Sequence, residues 1–206
     1  MNDRPDPLTT GLAALNITAT PQQQTQLRQF LFLLRKWNRV YNLTAISEPE
    51  QAIPLHLLDS LAVLPYLSGN RILDVGTGAG LPGIPLAIIA IGVRFVLLDS
   101  NAKKTRFVQQ AVLELGLTNV EVVTSRIENY RPQQGFDSIL ARAWADLETI
   151  WRETRVLLAS EGQVLALKGQ CPTRELDELE TCQYRIHSLE IPRLQAERHL
   201  IQITND

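Results

Sequence analysis

Residues 71–83, Arg-Ile-Leu-Asp-Val-Gly-Thr-Gly-Ala-Gly-Leu-Pro-Gly, leave the backbone few options. The apolar residues Ile72, Leu73 and Val75 read as a buried strand that runs directly into a glycine-dense turn. Pro82 then supplies a preset φ for the first turn of a helix. Strand, glycine loop and helix in that order form a nucleotide cradle, because Gly76, Gly78 and Gly80 allow a sharp turn and a close approach of backbone to ligand.

Gly78-Ala79-Gly80-Leu81-Pro82-Gly83 satisfies the dinucleotide pattern G-x-G-x-x-G, so nicotinamide and flavin cofactors have to be weighed. Two residues oppose them. Asp74, just before the first glycine, is expected to face the ligand, where it would repel a pyrophosphate; Pro82 removes an N–H from the helix start that a pyrophosphate would use. S-adenosylmethionine carries no phosphate, and its sulfonium and ammonium groups suit a nearby carboxylate. Residues 93–98 read as a second buried strand ending at Asp99, about 20 residues beyond the glycines, where an acid takes ribose hydroxyls. Asp99 therefore signals adenosine without choosing between the cofactor classes.

At 206 residues and 45% apolar content the chain is long enough for a full core with an appendage. Cys171 and Cys182 show neither disulfide-framework density nor metal-ligand spacing, so reduced thiols and no metal are expected. No charged-then-apolar leader opens the chain, and its longest apolar run, residues 84–93, is too short to cross a bilayer. A soluble cytoplasmic monomer without membrane contact is the expectation. A net charge of −2 exerts no global pull toward nucleic acid, but its distribution is uneven. Between Pro7 and Ser47 stand Arg28, Arg35, Lys36 and Arg39 with no acidic residue, whereas Glu175, Asp177, Glu178 and Glu180 cluster far downstream.

Residues 1–20 suggest a loosely held arm or a short helix. From Pro21, Leu27, Phe30, Leu31, Leu34, Trp37 and Tyr41 recur at helical spacing, with the cations on the remaining face as a candidate phosphate-contacting surface. Ser47 is placed to cap a second helical stretch that carries Leu55, Leu58, Leu61, Ala62 and Leu64 and ends at Pro65 and Gly69. His56 and Asp59, three apart there, are spaced for a hydrogen-bonded pair.

Beyond Arg71 strands and helices alternate, the signature of a sheet of parallel strands covered on both faces. Residues 120–123, 136–140 and 164–167 read as further strands, with a cap at Ser100 or Asn101, a long helix over about 147–159, a turn at Glu161-Gly162 and a charged helix from Pro172. Residues 184–191 and 198–204 alternate as a closing hairpin. Ligands of open α/β sheets bind beyond the carboxyl ends of the strands. That rule gathers residues 76–80 with Asp99, Ile127, Glu128, Arg142 and Lys168 at one rim.

With these residues in place the chain closely resembles the RsmG (GidB) family of bacterial 16S ribosomal RNA guanine-N7 methyltransferases. The likeness rests on residues 37–44, 56–60, the glycine stretch through Gly83, residues 97–100, Arg142-Ala143, residues 166–169 and 197–200. It implies a Rossmann-like, seven-stranded class I methyltransferase fold with its last strand antiparallel. It divides the chain into an N-terminal helical extension, 1–69, and an S-adenosylmethionine-binding domain, 70–206. It also implies cofactor contacts at Gly76, Leu81, Ile127, Glu128 and Arg142, to which the spacing argument adds Asp74, Gly78, Gly80 and Asp99. The chain departs from the family at Ala79, where proline is usual, and at Ala141, where serine is usual.

Guanine N7 offers a free in-plane lone pair, so methyl transfer to it requires no general base, which agrees with the lack of a convincing catalytic His or Cys. Arg142 and Lys168 are the expected catalytic positioning groups, gripping guanine or phosphate. Arg28, Arg35, Lys36 and Arg39 are the expected contacts to 16S ribosomal RNA or the small subunit. The competing readings are a methyltransferase of the same fold acting on a small molecule or protein, an NAD-dependent oxidoreductase and, more distantly, a non-catalytic RNA-binding module.

Overall fold

The computed structural model describes residues 6–45, 49–179 and 182–205. A seven-stranded sheet in the order β3-β2-β1-β4-β5-β7-β6 forms its centre. β1 (Arg71–Val75), β2 (Arg94–Asp99), β3 (Val120–Thr124), β4 (Phe136–Arg142) and β5 (Leu158–Lys168) are mutually parallel. β7 (His199–Thr204) runs antiparallel to β5 and pairs with β6 (Gln183–Ser188) as the expected hairpin. β1 lies between β2 and β4, with Asp74 level with Leu97 and Leu140, so the glycine turn emerges in the middle of the carboxyl rim.

Both sheet faces are covered, which explains why the strands read as nearly continuous apolar runs. The period of two then sorts each strand between two cores. On one face Ile72, Phe95, Leu97, Leu140 and Leu165 pack under α1 (Pro7–Ala14), α2 (Pro21–Tyr41), α5 (Gly83–Ile89) and α6 (Ala102–Leu115). On the other, Leu73, Val75, Val96, Ile139 and Val164 pack under α7 (Leu147–Thr154) and α8 (Thr173–Leu176). The helices before Gly69 therefore share one core with the sheet: Leu8, Leu27, Phe30 and Phe107 are all fully buried in it.

The N-terminal arm is a true helix, capped by the Asp6 carboxylate accepting from the Thr9 N–H. Thr20 and Gln23 form a reciprocal capping box at the start of α2. The Gln23 amide also donates to the carbonyls of Ile88 and Ile89, clamping this end of α2 to the end of α5. The apolar face predicted for α2 packs inward as far as Trp37, which lies 5.6 Å from the Phe107 ring, whereas Tyr41 at its end is exposed. Among the described residues no helix is long and apolar enough to cross a membrane.

Three local expectations are corrected. The stretch after residue 48 is an α3 turn (Pro49–Ala52), a π-helical turn (Ile53–Leu58) and α4 (Asp59–Leu61), because Pro54 has no N–H to give the regular ladder. Ser47, the predicted cap, lies outside the described residues. The helix expected to reach residue 159 ends at Thr154, followed by one 3₁₀ turn, Arg155–Leu157. Glu161 and Gly162 belong to β5, where pairing jumps from Phe136↔Leu158 to Ser138↔Gln163, a bulge. Gly162 is needed there, since a Cβ would press on the Phe136 carbonyl oxygen at 2.6 Å. Asn101, rather than Ser100, caps α6.

Candidate active site

The carboxyl ends of β1, β2, β3 and β4 surround a crevice of about 480 Å³, walled by Gly76, Asp99, Asn101, Lys104, Ile127, Glu128 and Trp144 among others. Gly76 sits in the left-handed region at φ 64°, and a Cβ there would strike the Trp144 indole. Glycine is therefore required both by conformation and by space. Asp99 stands at the end of β2, its Oδ2 accepting from the Gly78 N–H at 2.9 Å and its Oδ1 from the Asn101 N–H at 2.8 Å. Two backbone donors hold the carboxylate in one orientation at the crevice wall, where a vicinal diol can bond it.

Asp74 does not face the crevice. Period-two alternation puts it on the Ile72 face, under the start of α5, where it is completely buried. Its Oδ2 accepts from Thr77 Oγ1 at 2.6 Å and from the Gly83 N–H at 2.9 Å, while Oδ1 has no partner. Gly83 must lack a side chain because a Cβ would collide with Leu97 and with this same Oδ2. Burial pushes the Asp74 carboxyl up to about 7, against the opposing hydrogen bonds of Thr77 and Gly83.

Asp74 is therefore not placed to repel a diphosphate, contrary to expectation, whereas the shortage of N–H donors expected at Pro82 extends to the whole turn. The Thr77 N–H donates to Leu98 O, Gly78 to Asp99, Gly80 and Leu81 to Thr77 O, Gly83 to Asp74 and Ile84 to Gly80 O. Pro82 and Pro85 have no N–H, so from 77 to 85 only the Ala79 amide lacks an internal acceptor. A pyrophosphate needs several such donors at a helix start, and this loop has already used them.

Of the cofactor residues expected from the sequence, Gly76, Asp99, Ile127 and Glu128 line the crevice. Gly78 and Gly80 shape the turn beneath it, and Leu81 is packed into the core. Arg142 leaves the end of β4 in another direction, donating to Leu55 O at 3.1 Å and Ser60 Oγ at 3.3 Å and pairing with Asp59 at 3.2 Å. Asp59 is thus no partner of His56; its other oxygen takes Arg198 Nε at 2.8 Å. His56 is buried, and loss of hydration, helped by the Arg142 charge, lowers its pKa to about 4, so it is neutral near pH 7. Lys168 pairs with Glu175 at 2.7 Å and donates to Ala145 O. Arg28 is drawn into the α1 cap by pairing with Asp6. Arg35, Lys36 and Arg39 are exposed on α2.

Sequence reasoning passed over Trp144, Asn101, Lys104, Ser125 and Arg126, all of them crevice residues. Each immediately follows a strand or opens the helix after it, so the carboxyl-end rule applied to whole loops would have collected them.

A 3-2-1-4-5-7-6 sheet with one antiparallel strand, a glycine turn whose N–H donors are mostly paired internally and an acid closing β2 define a class I S-adenosylmethionine-dependent methyltransferase. Solved structures agree on the fold: the DhpI–SAH complex (TM-score 0.55, 16% identity, 91% of this chain and 98% of that one) and a SAM-dependent methyltransferase from Aquifex aeolicus (TM-score 0.56, 18% identity, 76% and 93%). The family model for rRNA small subunit methyltransferase G (GidB) matches residues 23–201, and the chain belongs to that family. Proteins named ribosomal RNA small subunit methyltransferase G from Methylococcus capsulatus and Laribacter hongkongensis are 55% and 48% identical to it. The first alignment covers 94% of this chain and 95% of the relative, the second 95% and 96%.

Two predictions follow from the buried and the crevice-lining carboxylates. An acid whose folded-state pKa is raised stabilises most below its unfolded value of 3.8 and loses that contribution as pH rises to about 7. Asp74→Asn keeps an acceptor for Thr77 and Gly83 but has no proton to lose. Its stability relative to the native protein should rise by about 3 kcal/mol between about pH 5 and about pH 8 in urea titrations. Asp99→Ala should lose S-adenosylmethionine affinity in calorimetry while its circular dichroism spectrum is unchanged; undiminished affinity would refute the ribose assignment.

Proposed function

We propose that this chain transfers the methyl group of S-adenosylmethionine to ring nitrogen seven of a guanine in 16S ribosomal RNA, acting as a cytoplasmic monomer. Membership of the small-subunit methyltransferase family over residues 23–201 carries the proposal. The crevice supports it, since its donor set fits an adenosine without phosphates.

When bound, S-adenosylmethionine supplies an electrophilic methyl group on a cationic sulfur. The chain's own task is then to orient and to exclude. Gly76, Ile127 and Glu128 define where the cofactor lies, and Asp99 holds the ribose hydroxyls. Because guanine N7 has its lone pair exposed in the ring plane, no residue has to remove a proton. Orientation alone can supply about 7–11 kcal/mol of the barrier reduction.

Arg142 and Lys168 are assigned to positioning the guanine or its phosphate from the adjacent β4 and β5 ends. Asp59 and Glu175 fix their charges, which keeps both cations ordered before RNA arrives. Arg35, Lys36 and Arg39 are assigned to ribosomal RNA phosphates, with Arg28 relegated to bracing α1. An acid-free cationic helix favours RNA over a small molecule or protein as the acceptor.

Methylation mapped on small-subunit RNA should show one guanine N7 mark absent from cells lacking the protein and regained when it is restored; an unchanged map would exclude this target. Replacing Arg35, Lys36 and Arg39 together with Ala should weaken binding to ribosomal RNA and reduce the slope of log affinity against log salt by about two to three. An unaltered slope would remove α2 from the docking face.

A further inference from the structure

The solvent face of α2 holds more than charge. Phe32 is 66% exposed, and residues 28, 32, 35, 36 and 39 are spaced to share one side of the helix. Phe32 therefore stands among cations, opposite the buried Leu27, Phe30 and Leu34. Val40, 71% exposed, and Tyr41, stacked 5.3 Å from Trp37, extend the same helix toward its C-terminal end.

α6 lies antiparallel beside it. The Gln26 amide donates to Leu115 O at 2.8 Å and that of Gln29 to Glu114 O at 3.3 Å, while Trp37 meets Phe107 eight residues back along α6. This register places the C-terminal end of α2 beside the start of α6, where Lys103 and Arg106 are exposed and Lys104 lines the crevice. Among the described residues none of Arg35, Lys36, Arg39, Lys103 and Arg106 takes part in an ion pair. The two neighbouring helices thus present unneutralised cations, those of α6 next to the crevice-lining Lys104, and α2 sets an exposed aromatic ring among its own.

We propose that α2 and α6 form a track for a single-stranded stretch of the RNA substrate, in which Phe32 stacks on an unpaired base and Lys103 and Arg106 continue the phosphate contacts to the crevice. The track rests on the RNA-methyltransferase reading above. Cations spaced for a backbone and an aromatic face for a base are the recognition chemistry of single strands. A protein partner with an apolar pocket would not need the flanking charges, and a duplex would leave the ring without a base to stack on.

Fluorescence anisotropy with a labelled single-stranded oligoribonucleotide, the same backbone carrying abasic sites, and a fully paired hairpin separates these cases. Phe32→Ala should weaken binding to the single strand about tenfold without altering the salt slope, leave the abasic strand and hairpin unaffected, and be rescued by Phe32→Trp. Lys103→Ala with Arg106→Ala should instead lower the slope by about 1.4 for the single strand and the abasic strand alike. Equal affinity of the Phe32→Ala and native proteins for the single strand overturns the stacking role. Sedimentation in which Phe32→Ala abolishes self-association without changing RNA affinity assigns the ring to a second copy and overturns it too. Calorimetry with S-adenosylmethionine and methylation of purified small subunits by the native protein test the underlying reading separately. A native enzyme that methylates while both variants bind RNA normally refutes the track alone.

Discussion

One buried carboxylate decides how the rim is built. Asp74 ties Thr77 and Gly83 together from beneath, and in doing so it occupies the first open N–H of α5. A helix start is ordinarily a site for anions, but here an internal carboxyl oxygen has taken it. Apart from that of Ala79, the remaining loop amides close on carbonyls of the turn, on Leu98 O of β2 or on Asp99, so the loop presents shape more than hydrogen-bond donors to the crevice. That is why a glycine pattern matching a dinucleotide fingerprint serves a ligand without phosphates. Burial makes the charged form of Asp74 expensive, and two short hydrogen bonds to a single oxygen offset part of that cost.

A second carboxylate joins the N-terminal helices to the rim. Asp59 forms an ion pair with Arg142 at the end of β4 and accepts a hydrogen bond from Arg198 just before β7, a pairing across 139 residues. Removing either guanidinium would leave a nearly buried anion with half its compensation, so the three groups act as a unit. Lys168 and Glu175 repeat the arrangement on a smaller scale after β5. Cations that looked available from sequence are therefore already oriented by the fold, which suits a reaction dependent on placement more than on proton transfer.

The helices before β1 form part of a layer rather than an attached module. Phe30 and Trp37 share the packing around Phe107, and Gln23 grips the end of α5. Their apolar side is consumed by that packing, which leaves Arg35, Lys36 and Arg39 directed outward. The proposed docking face is in this sense a by-product of amphipathicity: the more completely one side of α2 is buried, the more clearly the other is reserved for a partner.

Strand positions, the turn glycines, the acid ending β2 and the amphipathic course of α2 could all be read from the chain, because each depends on periodicity or backbone conformation within a few residues. The direction of Asp74 was legible too, since Ile72 and Asp74 must share a face, although a ligand-facing carboxylate was the expectation. The bulge in β5 was not, because it arises from pairing with β4, which lies well before it in the chain. Nor could the chain order alone show that Arg142, Lys168 and Arg28 are each bound to a carboxylate, or that Trp144 closes over Gly76. Local rules settle which elements form and which residues reach the rim. Only the folded packing decides which of those charges are left for a ligand, because an ion pair depends on distance in space and a sequence records only distance along the chain.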